Sequence, residues 1–383
     1  MRLVAPFGFY GWGNIGDEAT LQGFARLLAR HDPRASAWIA SRDPKHTAKA
    51  EPSLRYFDAS RSSVRRWWAN RRADGAVFVG GTPIMDVLGR WPLNEVAPLV
   101  TAMVARGTPV AFVGIGTERL QREESRGIIA RELAPRVRHW SVRSAHDRDR
   151  LVSYGVDSAR VTVAADLAWT LEPAGALSVG QRPACLRAGP DDVLVGVNVT
   201  NEKFVVERAP QLFEGLAQFL DRLVEKFAAR IVFFCNEIRE DASFDKAASE
   251  LIIRHMRHSD RAAILPNEYR TPQQMMALIG TCSLAVGMRY HFCIFAAIQG
   301  VPFLAIKRSD KVDDLCRDLA WAHGVGLDEV EALRLEGMAT ELLSDRPSAT
   351  RAMAERVASM SERVWRNRVP LNVLASIGAP SGD

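Results

Sequence analysis

The chain has 383 residues, of which 47% are hydrophobic and 25% charged, with a formal net charge of +5. That length allows two domains of ordinary size, each with its own core, and the small positive charge favours anionic ligands without requiring nucleic acid. Five cysteines with no CxxC pair argue against a disulfide scaffold and for reduced thiols in a cytoplasmic setting, and no apolar run reaches the ~20 residues of a membrane span.

In chain order, Leu3 to Tyr10 is predicted as a strand, so the chain starts on sheet rather than on an apolar leader. Gly11 to Gly16 follows as a loop. A helix then runs from about Asp17 to Arg30, with Leu21, Phe24, Leu27 and Leu28 on one face. Further strands are expected at Ala35 to Ala40, Gly75 to Val79, Pro109 to Gly114, His139 to Val142 and Arg160 to Ala164. Strands alternating with helical segments imply a parallel sheet with crossover helices. Glu172 to Asp192, with three prolines and little periodicity, reads as an interdomain linker.

A second series then begins. Val193 to Asn198 and Arg230 to Cys235 read as strands around a helix from about Ala209 to Phe227, and Ala263 leads into a short strand to Leu265. A helix over Thr271 to Ile279 precedes a strand at Cys282 to Val286, a helix at Phe292 to Ile298 and a strand at Val301 to Ile306. The tail from about Pro347 to Asn367 is helical and expected to pack back on the first domain. The resulting division is an N-terminal domain over 1–172, a linker over 173–192, a C-terminal domain over 193–345 and a helical tail over 346–383. Two Rossmann-like α/β domains facing a cleft, the glycosyltransferase-B type of architecture, is the fold class expected.

The loops after the strands carry the chemistry. Gly11-Trp12-Gly13-Asn14-Ile15-Gly16 is formally a dinucleotide fingerprint, and Arg42 near the second strand's end could then meet an NADP 2′-phosphate. Against that, Asp17 and Glu18 at the helix start suit the helix dipole but repel a phosphate. They fit a neutral, hydroxyl-bearing ligand better, or Asn14 and Asp17 simply order the turn and cap the helix. Gly80-Gly81-Thr82-Pro83 and Gly114-Ile115-Gly116-Thr117 add unhindered backbone at the same sheet edge. Arg143 ends the fifth strand and points to that edge, while Asp166 at the end of the sixth orients an arginine or caps the next segment.

Gly287-Met288-Arg289-Tyr290-His291 lies on a strand-to-helix turn, followed by Lys307, Arg308 and Lys311. Such a turn lies at the carboxyl end of a parallel sheet, where ligands bind. Its histidine can donate or accept a proton, and the nearby cations suit a small, highly charged anion. Cys293, in an apolar helical run, reads as a core thiol rather than a nucleophile. Arg61 to Arg72 (RSSVRRWWANRR) packs arginines around Trp67 and Trp68. It reads as a solvated helix with buried tryptophans, an anionic-membrane contact or a sugar-stacking surface, and not as a nucleic-acid site. His255 and His258 at i, i+3 lack a third ligand and read as surface residues, so no metal is expected.

Taken in order, these segments resemble the polysaccharide pyruvyl transferases. The G-x-G-N-x-G-D-E loop matches Gly11 to Glu18, followed by the glycine turns at Gly80-Gly81 and Gly114 to Gly116 and the strand end Val142-Arg143. Gly155-Val156 through Asp166 match the next element, and G-M-R-x-H…P…K-V matches Gly287 to His291, Pro302 and Lys311-Val312. The chain departs from the family pattern at Thr82-Pro83, at Ser309-Asp310 and at Phe234-Cys235-Asn236-Glu237. The resemblance implies transfer of a pyruvyl group from phosphoenolpyruvate to sugar hydroxyls as a ketal, with no cofactor beyond that co-substrate and no metal. It further implies His291 and Arg289 as catalytic residues, and Arg143, Arg289, Lys307 and Lys311 as donor ligands. Asn14, Asp17, Glu18, Gly81 and Thr82 would serve the carbohydrate acceptor, lipid-linked or not. A cytoplasmic protein is expected, with Arg61 to Arg72 as its contact to the inner membrane face. The competing readings are a glycosyltransferase with a nucleotide-sugar donor, an NADP oxidoreductase and a non-catalytic carbohydrate-binding module.

Overall fold

The computed structural model describes residues 1–59, 71–187, 189, 192–238 and 244–378. The chain divides into two compact units. One comprises Met1–Trp12, Asp17–Leu171 and Met360–Asp383, and the other Gly13–Gly16 and Glu172–Ser359.

Among the described residues, the first unit holds a seven-stranded sheet of order β3-β2-β1-β4-β5-β6-β7. The strands are β1 (Arg2–Ala5), β2 (Ser36–Ser41), β3 (Arg55–Asp58), β4 (Gly75–Val79), β5 (Val110–Ile115), β6 (Val137–Val142) and β7 (Val161–Val163). Every pairing is parallel. β4 and β5 are buried along their whole length, as strands covered on both faces must be, and read in sequence as unbroken apolar runs. Register aligns Phe78 with Phe112 and Phe112 with Trp140, so the three rings share a face and stack at centroid distances of 4.7 and 4.3 Å. Each such pair contributes about 0.5–1.5 kcal/mol beyond its burial.

β1 ends at Ala5, five residues before the predicted end. Pro6 offers no N–H to a ladder, and Phe7 and Phe9 belong to the following loop, where they pack on each other and on Trp91. β3 and the last strand of the second unit are the strands that the apolar pattern misses.

The second unit holds a six-stranded sheet of order β10-β9-β8-β11-β12-β13. Its strands are β8 (Leu194–Asn198), β9 (Arg230–Phe233), β10 (Ala262–Ile264), β11 (Leu284–Gly287), β12 (Phe303–Lys307) and β13 (Gly324–Gly326). All pair in parallel. The helix predicted from Ala209 to Phe227 is found at Leu212–Phe227, where Leu212, Leu216, Phe219, Leu220 and Leu223 are buried at helical spacing, and a separate short helix over Lys203–Arg208 precedes it. Within 172–192, short 3₁₀ turns occupy Val179–Gln181 and Ala184–Leu186.

Both sheets follow the order 3-2-1-4-5-6, the first with one strand added. In each, the connections leave in opposite directions from the first and fourth strands, β1 and β4 in one unit and β8 and β11 in the other. Ligands of such sheets bind outside the carboxyl ends at that reversal.

The tail is a helix over Arg346–Arg363, a 3₁₀ turn over Val364–Asn367 and a helix over Arg368–Gly378. Its last part clusters with the first unit, where the final helix packs on β5 and β6. Asn367 is fully buried there, accepting from Ser141 Oγ at 2.7 Å and donating to the Ala165 and Val364 carbonyls at 2.9 Å.

Candidate functional site

In the first unit, the residues after β1 and β4 form a tightly ordered edge. Tyr10 donates to the Val79 carbonyl at 2.6 Å, pinning one loop to the other. Gly80 and Gly81 lie in the left-handed region at φ +57° and +62°; a β-carbon there would overlap Thr20 or Phe9. Glu18 is buried and accepts the Gly11 N–H at 2.9 Å, with Thr47 Oγ1 at 3.4 Å. Burial raises its carboxyl to about 7 despite those two hydrogen bonds. Thr82 is buried and Asp17 half-buried. Arg42 stacks on Trp12, 4.0 Å from the ring centroid, where the NADP reading needs it beside a phosphate.

Sequence places Arg143 in a ligand's path. The structure buries it and gives it the Asp166 carboxylate at 2.7 Å and the Gly114 carbonyl at 3.3 Å. Asp166 serves both roles expected of it, holding that arginine and capping the 3₁₀ turn Leu167–Thr170 through the Ala168 N–H.

In the second unit, the site is built around the turn after β11. Asn198, fully buried at the end of β8, accepts the Arg289 N–H at 3.1 Å and donates to the Phe234 carbonyl and to Asp245. One amide side chain therefore ties the ends of β8, β9 and β11 together. Asp245 is fully buried. It accepts from Arg289 Nη2 at 2.7 Å, from Arg289 Nε at 3.0 Å and from the Asn236 N–H at 2.9 Å. Arg289 also donates from Nη1 to Glu202 Oε1 at 2.8 Å, and its Nη2 lies 3.3 Å from Glu237 Oε1. Burial opposes the charge on Arg289, but Asp245, Glu202 and Glu237 outweigh it and hold the guanidinium firmly protonated.

Arg289 is thus the residue before the helix Tyr290–Ile298, which starts two residues earlier than predicted and so takes His291 into its first turn. The imidazole packs edge-on against Tyr290, at 5.2 Å between ring centroids. Gly13 to Gly16 belong to this unit. Ile238 N–H donates to the Gly13 carbonyl at 2.8 Å and Ile15 N–H to the Asn236 carbonyl at 3.0 Å, and Asn14 Oδ1 accepts the Gly16 N–H at 3.0 Å. A β-carbon on Gly16 would overlap His291 Nδ1. The last glycine of the formal dinucleotide motif therefore makes room for an imidazole.

Lys307, at the end of β12, pairs with Asp313 at 3.1 Å. Lys311 is half-buried in the first turn of the helix Asp310–Asp318, and its charge is felt by Glu202. Arg308 meets Glu202 Oε2, an arrangement with no sequence signal beyond three nearby cations. The carboxylates Glu202, Glu237 and Asp245 were not expected either. They lie 44 and more residues before Arg289, and only the strand order brings them to it.

Cys293 is a buried core thiol, pushed well above its usual range by burial. His258 pairs with Glu225 at 3.2 Å, and no group of metal-ligating side chains occurs among the described residues. Residues 60–70 lie outside the described residues, and with them most of the Arg61 to Arg72 segment. Among the described residues, no helix is long and apolar enough to cross a membrane.

A family model described as polysaccharide pyruvyl transferase matches residues 14–310. A search of the curated proteins finds no match. Among solved structures, Anabaena HepE in complex with UDP-glucose aligns at TM-score 0.63 and 11% identity, covering 98% of this chain and 100% of that one. Neisseria meningitidis UDP-GlcNAc 2-epimerase bound to UDP-GlcNAc aligns at 0.60 and 12%, covering 98% and 100%. Staphylococcus aureus MnaA with UDP aligns at 0.62 and 10%, covering 98% and 95%. At these identities the likeness is one of fold, the glycosyltransferase-B type.

Proposed function

The chain belongs to the polysaccharide pyruvyl transferase family, and from that premise we propose that it transfers a pyruvyl group from phosphoenolpyruvate to two hydroxyls of a carbohydrate, forming a ketal and releasing phosphate. The observation that carries this reading is His291. It stands in the first turn of a helix at the carboxyl end of β11, at the strand-order reversal, with Lys307, Arg308 and Lys311 in the same unit.

Phosphoenolpyruvate carries a phosphate and a carboxylate within a few atoms, so its site needs several cations and backbone N–H groups. The helix N-terminus and these side chains supply both kinds. In the proposed sequence His291 gives a proton to the methylene carbon, and C2 becomes oxocarbenium-like. One sugar hydroxyl adds to C2 and loses its proton. The C2–O bond to phosphate breaks, and the second hydroxyl adds to C2, giving its proton to the departing phosphate, to close the ketal. Charge grows on the departing phosphate, where the cations stabilise it. Arg289, engaged by three carboxylates, fixes the turn that presents His291. The carbohydrate is assigned to the first unit, whose β1–β4 reversal carries Asp17, Glu18, Gly81 and Thr82.

The test is donor binding by calorimetry on the full chain, followed by phosphate release with candidate acceptors. Phosphoenolpyruvate is expected to bind. His291→Ala is expected to keep that binding and to lower turnover by about 10²–10⁴, or roughly 3–5 kcal/mol of barrier. No phosphoenolpyruvate binding, with UDP-glucose bound instead, would mean that the donor is a nucleotide sugar. Full activity in His291→Ala would remove the histidine from the mechanism.

A further inference from the structure

Glu202 bridges two arginines, one oxygen to each. Its Oε1 takes Arg289 Nη1 at 2.8 Å and its Oε2 takes Arg308 Nη1. Two guanidiniums repel one another at this range, and burial lowers the affinity of Arg308 for its proton before the charge of Arg289 lowers it further. A carboxylate between them relieves that repulsion. The three carboxylates on Arg289 are not equivalent, however. Asp245 and Glu237 are buried, with 0% and 3% of their side chains exposed, whereas Glu202 is 24% exposed. Asp245 is further fixed by Asn198 and by the Asn236 N–H. Glu202 stands just before the short helix Lys203–Arg208 with no side-chain capping bond.

The two arginines also differ. Without Glu202, Arg289 would keep Asp245, Glu237 and Thr200. The Nε of Arg308 is buried and unpartnered, and the guanidinium lies 5.5 Å from the exposed Phe204 ring. Remove Glu202 and Arg308 becomes a buried cation in want of an anion, facing a second cation that stays in place. Two oxygens on one centre, as in a carboxylate or a phosphate, reproduce the bridge.

We propose that Glu202 is a displaceable occupant of an anion site formed by Arg289 and Arg308, and that a carboxylate or phosphate group of the ligand takes its place. This rests on reading the second unit as the donor side, and it adds Arg308 to the residues that hold the donor. Glu202 then sets a threshold. An anion with one available oxygen cannot replace both contacts, whereas a phosphate or carboxylate can, so the gate favours bidentate anions.

The test uses the full chain and two probes, inorganic phosphate and phosphoenolpyruvate, by calorimetry. Glu202→Gln keeps the shape and removes the charge, and is expected to tighten both probes by about 10-fold. Arg308→Met is expected to weaken both by about 10-fold, in line with the loss of a charge-assisted contact. Combining the two should give no gain over Arg308→Met alone. In the wild type, carbodiimide labelling of Glu202, read by mass spectrometry, should rise on adding phosphate while Asp245 and Glu237 stay protected. Unchanged or weaker binding in Glu202→Gln, or Glu202 labelling that does not respond to phosphate, would overturn the proposal. If phosphate shows the whole pattern and phosphoenolpyruvate binds no better than phosphate, the gate stands and the pyruvyl-donor reading falls.

Discussion

Glu18 shows how one buried carboxyl can set a pH dependence. Unfolded, it titrates near 4.5; folded, burial raises it to about 7. Between these values the folded chain holds a proton that the unfolded chain has released. Its contribution to stability is therefore complete below about pH 4.5 and is lost as the pH rises through 7, a span worth roughly 3 kcal/mol. Glu18→Gln removes the titration but keeps an acceptor for the Gly11 N–H. Denaturant unfolding from pH 4.5 to 8 is expected to show the variant gaining on the wild type as pH rises; a constant difference would show that Glu18 is ionised throughout. The motif containing this residue was visible in sequence, and so was the conflict between its carboxylates and a phosphate. What the motif could not show was that Gly16 yields space to His291, because the two are 275 positions apart and meet only in the folded unit. Arg289 is similar. Sequence marks it as a cation near a histidine, but its three carboxylate partners come from the segments after β8 and β9, Asp245 from the start of the helix Phe244–His255.

At the level of elements, the strands buried on both faces were legible because such strands are continuous apolar runs. Gly75–Val79 is the clearest case, predicted and observed with the same ends. The two strands that escaped, β3 (RYFD) and β13 (GVG), are short edge strands with one neighbour each and no apolar run of their own, whereas the edges β7 and β10 were predicted. β1 is predicted too long because Phe7, Phe9 and Tyr10 look like strand residues, yet Phe7 and Phe9 pack on Trp91 in the following loop and Tyr10 bonds to the Val79 carbonyl. The helix Leu212–Phe227 ends on Ala228, held at φ +51° in the left-handed region where a β-carbon is strained. Glycine carries no such penalty there. Ala228→Gly is expected to stabilise the chain by up to about 1 kcal/mol, visible as a higher denaturant midpoint; a lower midpoint would mean that the alanine methyl contributes packing worth more than the strain.

For the molecule as a whole, two sheets of one strand order account for the alternation seen in sequence, and each provides its own reversal point for a ligand. The first unit is discontinuous, since Met360–Asp383 returns to it after the second unit has been made. Val364, Leu371 and Leu374 are buried in that return, and Asn367 bonds to Ser141 and Ala165. A chain ending at Ser359 is expected to leave β5 and β6 uncovered, to aggregate and to be cut by protease within residues 17–171. A truncated chain as protease-resistant as the full one would show that the return is dispensable. The discontinuity also imposes an order on synthesis. Residues 172–359 must be translated before the piece that completes the first unit exists. At about 5–20 residues per second, the earliest-made sheet waits roughly 10–40 s for its last helix. During that wait the faces of β5 and β6 that the last helix covers stay open, which makes this unit, though it is begun first, the last of the two to be finished.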